Sequence, residues 1–129
     1  MRDYTMLAEL DRDGFNVIVD KTWEDLHPQD SFDNSIDPDT NLPYYDIEEM
    51  CRKIDRGDLD WFMLRVRVMH EDVELAVSYV GGFLYEDASE VLRDGTAEDM
   101  IWETLEEAKK RVPTLIEGLS KLVVDKTLV

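Results

Sequence analysis

Asp37, Asp39, Asn41 and Glu48 occupy positions 1, 3, 5 and 12 of a calcium-loop pattern, with the Pro43 carbonyl at position 7. Carboxylate, amide and carbonyl oxygens at this spacing are what a hard divalent cation takes as ligands. Against a cation, Leu42 stands where the sharp turn calls for glycine, and no helix is expected to enter the loop. An ordinary Asx-rich loop is the competing reading.

Other chemistry is sparser. His27 and His70 are the only histidines and lie in different segments without zinc-ligand spacing around them. Either can meet an acid in space, but both are expected as surface turn residues. Cys51 falls on an apolar stripe with Ile47, Met50 and Ile54 and is expected to face the core as a small hydrophobe. Gly81-Gly82 lacks the Lys-Ser or Lys-Thr of a phosphate loop and predicts a bulge or close backbone approach instead. With 31 acidic residues in the chain, any chosen carboxylate pair carries little information about acid–base catalysis. No catalytic set stands out, no cofactor is implied, and a non-enzymatic binding protein is the expectation.

The elements that must position these groups follow from periodicity. Asp13-Gly14 between two apolar runs predicts a hairpin with strands near 4–10 and 15–21. Residues 24–43, with three prolines and few apolar anchors, predict a long loop. Asp46 caps a helix with Glu49 three residues on, and Gly57 ends it. Leu64, Val66 and Val68 alternate with Arg65 and Arg67, the mark of a half-buried strand. Glu71-Asp72 turns the chain into a longer strand, Val73 to Tyr85. A short helical piece near 88–92 precedes a long helix opened by Thr96 and Asp99, which Pro113 ends or kinks. The fold class is α+β: a small antiparallel sheet of about four strands in ββαββαα order, packed against two or three helices. Trp23, Trp61 and Trp102 are expected in its core.

At 129 residues and 43% apolar composition the chain makes one domain over 1–129. The single cysteine, the lack of a long apolar run and the N-terminal Met1-Arg2-Asp3-Tyr4 predict a cytoplasmic protein that neither spans nor binds a membrane. Acidic residues outnumber basic ones 31 to 14, a net charge of −17. Such a field repels nucleic acid and anionic lipid and attracts basic proteins. Glu24, Asp25, Asp30, Asp33, Asp37 and Asp39 in the loop, and Glu98, Asp99, Glu103, Glu106 and Glu107 on the long helix, are the candidate partner-binding acids. Tyr44 and Tyr45 are candidate apolar anchors. Solubility is one explanation of the charge; imitation of a polynucleotide, which a rigid carboxylate array performs, is the other. The 115–129 tail is apolar enough to join a homodimer.

The run Trp61-Phe62-Met63-Leu64-Arg65-Val66, the strand end Tyr79-Val80-Gly81-Gly82-Phe83-Leu84-Tyr85 and the acidic helix after it resemble small, functionally unassigned proteins of tailed bacteriophages. The likeness covers about residues 46–111. Phe83 stands where many of those proteins carry cysteine, and the segment before Pro43 has no counterpart among them. The resemblance implies a phage or mobile-element setting, acting in the host cytoplasm. Small acidic proteins there are similar to inhibitors of nucleic-acid enzymes, including anti-restriction and anti-CRISPR factors. The function expected is an acidic inhibitor occupying the basic cleft of a host nucleic-acid-binding or defence protein. An adaptor domain with a solvated acidic surface and a calcium-dependent switch are the alternatives.

Overall fold

The structure is a computed structural model and describes residues 3–32 and 35–123. Strands β1 (Thr5–Arg12) and β2 (Phe15–Trp23) form the expected hairpin; β1 starts one residue later and runs two further into the turn, and β2 runs two residues further at its end, than periodicity predicts. Its turn holds Asp13 and Gly14 at φ of 55° and 86°, the paired positive values of a tight hairpin that glycine accepts without penalty. Strands β5 (Asp60–His70) and β6 (Val73–Tyr85) make the second hairpin, and the sheet order is β1-β2-β5-β6, antiparallel throughout.

The 24–43 segment is not one structureless loop. It holds a single-turn helix α1 (Pro28–Ser31) and a two-residue ladder, β3 (Ile36–Asp37) with β4 (Leu42–Pro43). Pro28 opens α1, where its missing N–H costs nothing, and the His27 ring nitrogen Nδ1 accepts the Gln29 N–H at 3.0 Å. Helix α2 (Ile47–Arg56) begins as expected, the Asp46 carboxylate accepting the Glu49 N–H at 3.1 Å, and Gly57 ends it.

Helix α3 (Thr96–Val123) lies across one face of the sheet after a 3-10 turn at Ala88–Leu92. The core is that interface: Val17, Val19, Phe62, Leu64, Val66 and Val68 from the sheet meet Ala97, Met100, Ile101, Leu105 and Ala108 from the helix. A polar pin crosses it. Thr104, fully buried, donates its hydroxyl to the Met100 carbonyl at 2.6 Å, so Ser78 on β6 supplies the proton of the 2.7 Å bond between the two hydroxyls.

Two expectations about α3 are corrected. Asp94, not Thr96, satisfies the first N–H, its carboxylate accepting from Thr96 N at 2.9 Å. Pro113 does not end the helix, which runs on to Val123. Contacts flank the proline: Val112 and Leu115 pack on the core, and Arg111 donates to the Leu75 carbonyl at 3.1 Å.

The opposite face of the sheet carries Asp20, Arg65 and Arg67. Arg65 grips Asp20 through two hydrogen bonds of 2.7 and 2.5 Å, and the Tyr4 ring lies 3.5 Å from its guanidinium carbon. One end of this face is capped by the 24–57 segment. Phe62 faces α3, so its neighbour Trp61 points the other way; its indole donates to the Leu26 carbonyl and its ring meets Phe32. No helix among the described residues is long and apolar enough to cross a membrane.

Candidate acidic interface

Helix α3 presents a ridge of carboxylates away from its buried stripe. Asp99, Glu103 and Glu107 follow one another at i, i+4 and i+8, over about 12 Å of helix axis. All three are exposed and make no ion pair within the described residues. The other two acids of this stretch are engaged: Glu98 pairs with Arg12 at 2.5 Å, and Glu106 lies 3.7 Å from Lys109, which also pairs with Asp13 at 2.8 Å. Three unpaired charges at steps of about 6 Å form a regular row, sparser than one DNA strand with about 3.4 Å per phosphate along the axis.

Trp102 sits within this ridge with 64% of its surface exposed. Beside it a shallow groove of about 460 Å³ is lined by Ser78, Trp102, Glu103, Glu106, Glu107 and Lys110. The expectation of three core tryptophans is therefore corrected: only Trp61 is buried, and Trp23 is half exposed, its indole donating to Asp25 at 2.8 Å. Trp102 lies about 100° around the helix from Ile101, which takes it off the sheet. That angle, read against Ile101, Leu105, Ala108 and Val112, is the signal in the sequence that marks it as outward.

The loop acids do not join this ridge. They belong to the segment that caps the other face of the sheet at Trp61, and several serve their own backbone. Glu24 accepts the Gly82 N–H at 2.8 Å and the Leu26 N–H at 3.1 Å. Asp25 holds Trp23, and Asp37 accepts the Asp39 N–H at 2.9 Å in an Asx turn. Asp30 is exposed in the first turn of α1. Asp33 lies outside the described residues. Tyr44 and Tyr45 are both substantially exposed, and the Tyr45 ring packs on Phe32 at 5.1 Å.

The calcium-pattern residues are divided between two elements. Asp37, Asp39 and Asn41 shape the tight β3–β4 turn, with the Asn41 N–H on the Asp37 carbonyl at 2.7 Å, while Glu48 stands in α2. Among the described residues no group of three or more His, Cys, Asp or Glu is placed to hold a metal ion.

Cys51 does not reach the core. Helix α2 buries no residue, and the Cys51 sulfur lies 3.9 Å from His27 Nε2 in an open groove of about 520 Å³. Because His27 Nδ1 accepts from Gln29, the neutral ring carries its proton on Nε2. His27 thus faces the sulfur as a donor and is not arranged to deprotonate it.

At the start of α3, the Tyr85 hydroxyl donates to Asp94 at 2.5 Å. This bond holds the Asp94 carboxyl below its ordinary range, helped by the Thr96 N–H, and holds the Tyr85 phenol above its own.

No family model matches the chain, and comparison with curated proteins and with solved structures gives no match.

Proposed function

We propose that the protein is a non-enzymatic acidic inhibitor that imitates a nucleic-acid strand and occupies the basic cleft of a host nucleic-acid-binding or defence protein. The observation that carries this reading is the unpaired row Asp99, Glu103 and Glu107 on a helix pinned to the sheet, with Trp102 exposed among them. Carboxylates carried on a rigid helix require no ordering of the backbone on binding, and a cationic groove can pair with them as it does with phosphates. Trp102 supplies what charge alone lacks, a large apolar anchor within the contact. The loop acids Asp30, Asp37 and Asp39, with Tyr44 and Tyr45, form a separate, secondary surface in this reading. Its setting is a host cytoplasm, in keeping with the resemblance to small phage proteins.

The test is capture from a bacterial lysate on immobilised wild-type protein and on a Glu103→Gln/Glu107→Gln variant, with elution by salt. Nucleic-acid-handling proteins should be retained at about 50 mM salt and released by about 200 mM, as expected for a contact dominated by charge. They should be depleted on the variant. Equal recovery on both surfaces would reject the ridge as the binding site.

A further inference from the structure

The second half of α3 continues past the end of the sheet with its apolar stripe uncovered. Ile116, Leu119 and Leu122 are exposed and extend the line of Ile101, Leu105, Ala108 and Val112 that the sheet buries. Between this ridge and the sheet end runs an apolar groove of about 390 Å³, walled by Phe15, Val73 and Leu75 on the sheet side and by Leu115, Ile116 and Leu119 of the helix. We propose that a second copy of this chain fills it: two α3 extensions cross about a two-fold axis, each packing Leu122 against the groove that Ile116 and Leu119 of the other wall.

Two observations choose a second copy as the occupant. First, ridge and groove adjoin on one chain, so the patch is self-complementary, which is what an isologous two-fold contact requires. Second, the charge is favourable here. The chain carries −17 overall, but residues 108–123 hold Lys109, Lys110, Arg111 and Lys121 against Glu117 alone. Facing them, the sheet side of the groove is rimmed by the β5–β6 turn bearing Glu71-Asp72 and by the β1–β2 turn, whose Asp13 is already paired with Lys109 of its own chain. Two copies that meet at this end bring Lys121 of each toward the acidic turns of the other, while the acidic ridge before Glu107 stays away from the contact. Two copies meeting through the ridge of Asp99, Glu103 and Glu107 would instead bring acid against acid.

This contact is apolar at its centre and joins two bodies of like net charge, so screening strengthens it. Partner binding through the acidic ridge responds to salt with the opposite sign. The two proposals therefore stand or fall separately.

Sedimentation equilibrium from about 1 to 100 µM, at low and high salt, tests the proposal over the range in which a weak dimer dissociates. The wild type should dimerise, more tightly at high salt. Leu119→Glu should weaken the dimer at least about tenfold, the scale of a central interface residue. Leu42→Glu, at an exposed apolar position on the distant β3–β4 ladder, should leave it unchanged. Lys121→Glu should weaken it, and adding Glu71→Lys should restore it. All four positions are exposed, so unchanged circular dichroism is expected and separates lost association from lost folding. A monomer at every concentration, a dimer that survives Leu119→Glu, or no rescue by the charge exchange would overturn the proposal.

Discussion

The Glu24 carboxylate accepts the Gly82 N–H at 2.8 Å, and a Cβ added at Gly81 would lie only 2.0 Å from the same oxygen. The pair explains the double glycine. The register of β5 against β6 slips between Phe62 and Leu64, leaving an extra residue on β6, and Gly82 bends there at φ of 80°, where a side chain is strained. Gly81 is bare for another reason: it leaves room for the acid. Gly81→Ala should expel Glu24 and cost about 1.5 kcal/mol, the scale of a hydrogen bond to a charged group. Glu24→Ala should cost about the same, and the double variant no more than either, because the two changes remove one interaction. Urea unfolding of the cycle measures this, and additive costs would show that the carboxylate and the glycine act independently.

Asp20 is 4% exposed yet carries a charge, and its only neutralising partner among the described residues is Arg65, held by two bonds. Those bonds raise the Arg65 pKa. Removing one member leaves the other charge partly buried without compensation. Asp20→Ala should destabilise by about 3 kcal/mol, whereas the double replacement Asp20→Leu/Arg65→Leu should cost clearly less. A denaturant midpoint for each variant decides it; a double variant less stable than Asp20→Ala would mean that the pair contributes net stability of its own.

The strands and the main helices are legible in the sequence because their signals are local. Leu64, Val66 and Val68 against Arg65 and Arg67 name both the strand and its faces, since α3 covers one side of β5 and the other carries the arginines. Asp46 and Gly57 bound α2 by hydrogen bonds within a few residues of each. What stays hidden depends on distant partners. Cys51, Ile47 and Ile54 form a good apolar stripe, but α2 packs on the sheet end and on α1, so none is fully buried. Pro113 reads as a stop or a kink, and that the helix continues past it goes with a distant contact, Arg111 bonded to Leu75, 36 residues away. The acids of 24–43 look equivalent to those of α3 by composition, and only the alternation of Trp61 and Phe62 across the sheet puts the two groups on opposite faces.

Tyr85 and Asp94 give a pH signature. The Tyr85 hydrogen bond lowers the Asp94 pKa from its ordinary 3.8. A depressed carboxyl stabilises the fold above its unfolded value, and that contribution is lost as pH falls through the folded value. The raised phenol works at the other end: its contribution is complete below its ordinary 10.0 and is lost as pH rises through the folded value. Tyr85→Phe should therefore raise the Asp94 pKa toward 3.8 and flatten stability against pH below that value. Carboxyl titration by nuclear magnetic resonance checks it. An unmoved Asp94 would assign its shift to the Thr96 N–H instead.

The acidic ridge makes a prediction in which stability and binding move in opposite directions. Asp99–Glu103, Glu103–Glu106 and Glu103–Glu107 are like-charge pairs at i, i+3 or i+4, each costing about 0.2–0.5 kcal/mol in a helix. Neither Glu103 nor Glu107 makes a compensating ion pair within the described residues. Glu103→Gln/Glu107→Gln should therefore stabilise the fold by about 0.5–1 kcal/mol at low salt, with the gain shrinking as salt screens the repulsion. Trp102→Ala, at an exposed position, should change stability by less than about 0.5 kcal/mol. Both variants should lose capture of the basic partner. Thermal unfolding at two salt concentrations supplies the first half of the comparison. If the glutamine variant were the less stable protein, the carboxylates would be holding the fold together, and an acidic surface kept for a partner at the expense of stability would no longer be needed to explain them.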